Sequence, residues 1–200
     1  MANQQWVSLL PQINQTQWGG AGTALSSAAT ATISPMPAGT DINVPVNQSD
    51  WYPGKLIRVT ARGFLTTTGT STTATWFLAM NKGNSGSTYV TLATSAGLTT
   101  GTGTLTGLPW KLAGLIRCTA VANSGNTLST MAEMELETNT TAPTLTTPAV
   151  NFTRFALPSA SGETAAAVDL SSVQGLALRA TLAGANATIQ LSQWLVEALN

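Results

Sequence analysis

Few residues in this sequence are of the types that perform chemistry. Histidine is absent from the 200 residues, which removes the commonest general base and the commonest metal ligand together. A nucleophile would have to be activated by lysine or carboxylate, and Lys55, Lys82 and Lys111 have no serine–lysine motif around them. We therefore predict that the protein is not an enzyme and that it binds no cofactor or metal.

Three carboxylates, Glu133, Glu135 and Glu137, alternate along one segment. In a strand, alternate side chains share a face and lie about 7 Å apart, which is within the range of the carboxylate pairs of glycoside hydrolases. The same row of oxygens could hold a hard cation. The third interpretation is a solvated or arginine-paired strand face, and we favour it because no further motif supports the other two.

Aromatic and thiol side chains are the remaining candidates. Four tryptophans lie in or beside candidate strands: Trp51, Trp76, Trp110 and Trp194. We expect them in the core, and platforms for sugar stacking are the alternative. The single cysteine, Cys118, can form no internal disulfide, and its apolar alternating surroundings predict a buried, inert thiol.

Composition narrows the class of protein. The hydrophobic fraction is 43%, but the charged fraction is only 8%, compared with about 25% in ordinary globular proteins. The eight basic and eight acidic residues leave no net charge, so nucleic acid is not an expected partner. No secretory leader is recognisable at the start, and no stretch approaches the roughly 20 apolar residues of a membrane span. We expect assembly in the cytoplasm.

Residues 1–49 differ from residues 50–200. Asp41 is the only charged side chain in the first segment, which is interrupted by four prolines that do not fit a central strand. The segment also contains isolated apolar residues that could anchor it to a capsid or another partner: Trp6, Leu9, Leu10, Ile13 and Trp18. We predict an extended N-terminal arm with these anchors. The alternative is that part of it supplies an edge strand to the main domain.

From residue 50 onward, short alternating segments are separated by Gly, Asn and Ser turns, which is typical of a sandwich or barrel. The candidate strands are 55–65, 73–80, 88–93, 110–121, 128–137, 150–157, 164–170, 176–183 and 187–199. The two segments around the turn at 123–126 make the strongest hairpin. Mixed short turns and long connections favour an all-β, jelly-roll-like antiparallel sandwich of about eight strands, following the N-terminal arm.

The chain from Trp51 to Asn200 resembles jelly-roll structural proteins of tailed bacteriophages, of the head-decoration or minor capsid class. The resemblance lies in Gly-Lys-Leu-Ile-Arg-Val-Thr-Ala-Arg-Gly at 54–63, Leu-Pro-Trp-Lys-Leu at 108–112 and Ser-Gln-Trp-Leu-Val-Glu-Ala-Leu-Asn at 192–200. Segments 166–170 and 176–181 look like the penultimate strands of that family. These motifs are structural, and no functional residue is carried over.

The resemblance implies a virion protein on the capsid exterior that binds the major capsid protein and itself as a homotrimer. Neither nucleic acid nor membrane is an expected partner. The alternative is a tail or receptor-binding jelly-roll module that recognises a glycan of the host surface.

Overall fold

The computed structural model describes residues 25–26, 30–32, 44–46, 51–69, 72–82, 88–95, 97–99, 104–122, 125, 127–137, 152–157, 164–172, 174–184 and 186–199. These residues form strands and turns, without a helix. Accordingly, this part of the chain contains no helix that could cross a membrane.

Twelve strands make up the described fold. In chain order they are β1 (Thr30–Thr32), β2 (Val44–Val46), β3 (Leu56–Thr67), β4 (Thr73–Lys82), β5 (Tyr89–Thr94), β6 (Leu98–Thr99), β7 (Leu105–Cys118), β8 (Leu128–Glu137), β9 (Phe152–Leu157), β10 (Thr164–Ala166), β11 (Gln174–Leu182) and β12 (Ala187–Ala198). Eight of them have six or more residues, and β1, β2, β6 and β10 have two or three.

The strands form two antiparallel sheets. Sheet I has the order β12-β3-β7-β8, and β9 and β10 both pair with the far edge of β8. Sheet II has β11 beside β4, with β1 and β2 along one edge of β11 and β5 and β6 along the far edge of β4. The predicted all-β sandwich is confirmed. The pairing is nested, because β3 pairs with β12 in one sheet and β4 with β11 in the other, as expected for a jelly roll.

The alternation of apolar residues explains why the sheets face each other. In β3, Ile57, Val59, Ala61 and Leu65 point inward and are fully buried, while the even-numbered residues between them face outward. The two sheets meet at Trp76 of β4 and Trp110 of β7, whose ring centroids lie 6.0 Å apart. All four tryptophans predicted for the core are buried, as is the thiol of Cys118.

Strand β7 begins five residues earlier than predicted and includes a proline. Pro109 is opposite Phe64 of β3, and the pairing of β7 with β8 starts only at Trp110. Along β7, successive residues bond alternately to β3 and to β8. Cys118 N donates to Lys55 O, on the β3 side. Counting back from Cys118, the nitrogen of Pro109 faces the β8 side, where Pro109 has no partner in the register. Proline therefore removes no ladder hydrogen bond here.

The described parts of residues 1–49 pair with the sandwich. Leu25 exchanges two backbone hydrogen bonds with Ile189 of β12, at 2.9 and 3.0 Å. Strands β1 and β2 pair with opposite ends of β11. The segment thus supplies edge strands, as in the alternative interpretation, and its described parts lie along the β11 and β12 side of the sandwich.

Candidate functional site

Two of the three predicted carboxylates lie on the outward face of sheet I. On β8, Glu133 and Glu135 alternate with buried residues, while the side chain of Glu137 is outside the described part. In the register, Glu135 is opposite Lys111 of β7 on one side and Arg154 of β9 on the other. The described residues contain no cluster of three or more His, Cys, Asp or Glu side chains that could hold a metal. The register favours a charge-paired strand face.

Strand register brings further charged and apolar residues together on this face. Arg58 of β3 is opposite Glu197 of β12, and its Nη1 lies 3.6 Å from Glu197 Oε2. On the other side of Arg58 lies Leu115, which is opposite Met131 of β8. Leu115 and Met131 are 41% and 56% exposed. Because they are direct cross-strand neighbours, they form one continuous apolar patch beside the ion pair.

The outward face of sheet II is different in character. Here the guanidinium of Arg179 on β11 lies 4.0 Å from the centre of the Tyr89 ring on β5. Ala177, two residues before Arg179 on β11, is opposite Ala79 of β4, and both are small and buried. Arginine placed over a tyrosine ring is a cation–π contact, and it links β11 to β5 across β4.

Charge is unevenly divided between the sheets. The described strands of sheet I contain nine charged residues: Arg58, Arg62, Lys111, Arg117, Glu133, Glu135, Glu137, Arg154 and Glu197. The described strands of sheet II contain two, Lys82 and Arg179, and no carboxylate. The sandwich therefore has one charged face and one nearly neutral face.

The predicted docking residues of the arm, Trp6, Leu9, Leu10, Ile13 and Trp18, lie outside the described residues. The tryptophans of the sandwich are in the core, so the sugar-stacking alternative does not apply to them. The sequence patterns did not predict the patch of Leu115 and Met131 or the contact of Arg179 with Tyr89. Alternation along each strand marks Leu115 and Met131 as outward-facing, but only the strand register makes them neighbours.

Comparisons with known proteins identify no family. No protein-family model and no curated protein matches the chain. Among solved structures, the chain is similar to lectin I from Ulex europaeus, crystallised with the methyl glycoside of α-L-fucose, at 9% identity and a TM-score of 0.39. The similarity covers 92% of this chain and 95% of the lectin chain. The class that the two sheets of this chain define is an antiparallel β-sandwich.

Proposed function

We propose that this protein is a non-enzymatic structural subunit of a virus particle, which decorates and stabilises the outside of a tailed-phage capsid. In this proposal its partners are the major capsid protein and other copies of itself, arranged as a homotrimer. The resemblance of segments 54–63, 108–112 and 192–200 to phage structural proteins supports this assignment. The structural observation that carries it is the unequal charge of the two outward faces.

A subunit that coats a shell needs one side that packs against protein and one that remains in water. Burying a charged group without a partner is costly, and the cores of protein interfaces are depleted of charged residues. The outward face of sheet II, whose described strands contain two charged residues, suits the side that packs. The charged outward face of sheet I suits the solvent side.

The position of the arm adds to this proposal. Leu25 pairs with β12, and β1 and β2 pair with β11, so the described parts of the arm are attached at the β11 and β12 side of the sandwich. Trp6, Leu9, Leu10, Ile13 and Trp18 all precede Leu25. In the proposal, these anchors contact neighbouring capsid subunits, because large apolar side chains dominate the energetics of interfaces.

The direct test is to measure the ratio of this chain to the major capsid protein in purified particles by quantitative mass spectrometry. A fixed ratio, of the same order as that of the capsid protein, supports decoration. A few copies per particle would favour the tail or receptor-binding alternative, and absence from particles would refute both.

A second test examines the arm on shells from which the protein has been stripped. A variant lacking residues 1–24 retains Leu25, β1 and β2, so it should remain folded but fail to rebind. The double variant Trp6→Ala/Trp18→Ala should also bind weakly, whereas Gln5→Ala/Gln17→Ala, which changes adjacent polar residues, should bind normally. Rebinding of the truncated chain at wild-type affinity would exclude a docking role for the arm.

A further inference from the structure

Strand β12 is an edge of sheet I. Its register with β3 shows which of its backbone groups bond to β3 and which point away from it. Its last residues pair with β3, with Ala198 opposite Ile57, and the next residue, Leu199, donates its N–H to Leu56 O at 2.9 Å. Bonded and non-bonded pairs alternate in an antiparallel ladder. The backbone N–H and C=O groups of Trp194, Val196 and Ala198 therefore point away from β3, toward the outside of the sheet.

One end of this edge already accepts another segment. Leu25 bridges Ile189 in the antiparallel direction, and a β-bulge between Leu191 and Gln193 ends that part of the edge. Among the described residues, none pairs with the outer side of 193–198. This stretch contains neither lysine nor proline, two residues that commonly protect an exposed edge from pairing, and its one charged residue, Glu197, has Arg58 of the same sheet as its ion-pair partner. With respect to the described residues, this stretch is therefore open to an added strand.

We propose that this edge pairs with the same edge of a second copy, antiparallel about a two-fold axis at Leu195. In this register the outward-pointing backbone groups of Trp194 face those of Val196 of the second copy. On the outward face, Leu195 meets Leu195 of the second copy, and Gln193 meets Glu197 of the second copy. The two sheets I then form one continuous sheet.

The side chains favour a second copy in this register. Gln193 can donate its amide hydrogens to the carboxylate of Glu197, and an apolar pair occupies the axis, so no like charges lie directly opposite each other. If the axis is moved to Val196, outward-pointing backbone groups of the two copies still face each other, but Glu197 then lies opposite Leu195 of the second copy. The carboxylate of Glu197 has no hydrogen-bond donor in that pair. An interface related by a two-fold axis is the commonest arrangement of homo-oligomers. Because a three-fold ring contains no two-fold contact, this interface joins subunits of different trimers of the proposed function.

Disulfide trapping tests the contact directly. In the Leu195→Cys variant, two cysteines face each other in a non-hydrogen-bonded pair, where Cβ atoms are about 4.5–5.5 Å apart, so mild oxidation should give a covalent dimer. The matched control is Thr60→Cys, because Thr60 is the β3 register partner of Leu195 and lies about 14 Å from its copy across three strand spacings. Buried Cys118 should not react. Equal cross-linking of both variants, or none, would overturn the proposal.

Two further variants test the backbone and the axis. In the Leu195→Cys background, Val196→Pro removes an outward N–H but no bond to β3, so the chain should remain folded and lose the cross-link. If that variant does not fold, Leu195→Lys places two ammonium groups at the axis and should abolish association through this edge, measured as a lower mass in sedimentation, whereas Thr60→Lys should not.

The variant that lacks residues 1–24 distinguishes pairing with a second copy from pairing with the protein's own N-terminal segment. If Leu195→Cys forms the dimer only after removal of residues 1–24, the chain's own segment occupies the edge and the proposal is wrong. The cross-link is measured without capsids, so its failure is independent of the failure of the proposed function.

Discussion

Gly63 of β3 lies against the indole of Trp110, its register partner on β7. A Cβ atom placed at Gly63 would be 2.5 Å from Trp110 Cζ2 and would also overlap the backbone oxygen of Gln190 on β12. The core tryptophan therefore occupies the space that any side chain at position 63 would need.

Replacing Gly63 by alanine should destabilise the protein strongly. Overpacking of a core typically costs about 1–3 kcal/mol and occasionally more, and a backbone oxygen cannot move aside as a flexible side chain can. The measurement is the free energy of unfolding in denaturant. The control is Gly184→Ala, whose added Cβ would be 3.4 Å from Thr72 Oγ1 and should be nearly neutral. Equal stability of the two variants would show that the core relaxes around position 63.

Thr127 ties the start of β8 to the segment that follows β10. Its Oγ1 donates to Val168 O at 2.6 Å and accepts from Val168 N at 2.9 Å, within the buried part of the protein. Thr127→Val keeps the shape but leaves both backbone groups without a partner, so we expect a loss of about 1–3 kcal/mol. Thr188→Val, on an outward face, should change stability by less than about 0.5 kcal/mol. A neutral Thr127→Val would indicate that water replaces the hydroxyl.

Cys118 should be unreactive in the folded state. Burial raises the pKa of its thiol, and only the thiolate is nucleophilic, so a thiol reagent should label the native chain slowly and the denatured chain rapidly. Because the pKa of the thiol is higher in the folded state, folding favours the protonated thiol of Cys118. Its contribution to stability is fully present below the pKa of the unfolded thiol, about 8.5, and declines as the pH rises above that value. Loss of stability at alkaline pH should be smaller in Cys118→Ala than in the wild type.

Tyr89 should stabilise the protein through its ring rather than its hydroxyl in the contact with Arg179. Tyr89→Leu removes the π face and should cost about 0.5–1 kcal/mol more than Tyr89→Phe, the estimate for an exposed cation–π contact. The difference should disappear in an Arg179→Met background, which a double-mutant cycle measures. If the difference persists without the cation, general packing is responsible.

Removal of divalent cations should leave the melting temperature unchanged. Glu135 has basic register partners, Lys111 and Arg154, so this carboxylate does not require a metal to balance its charge. Melting is compared with and without a chelator, in the wild type and in Glu133→Gln/Glu135→Gln. A large chelator-dependent decrease that the double variant lacks would establish a metal site.

Much of the fold could be predicted because alternation along a strand is a local property. Ile57, Val59 and Leu65 face the core for the same reason that Arg58 and Arg62 face outward: successive side chains of a strand point in opposite directions. The strand ends were less predictable. Val168 is not in a strand although its segment was predicted to continue to residue 170, because a buried hydroxyl from Thr127 takes its N–H.

The amino-acid sequence by itself determined that the protein is a β-sandwich of low charge with a tryptophan-rich core. Only the tertiary structure decided which residues are neighbours across strands: Gly63 with Trp110, Leu115 with Met131, Arg179 with Tyr89, and Leu25 with Ile189. The physical reason is that alternation sets the face on which a side chain lies. Adjacency depends on a register between segments distant in the chain, and their packing fixes that register only when the two sheets assemble.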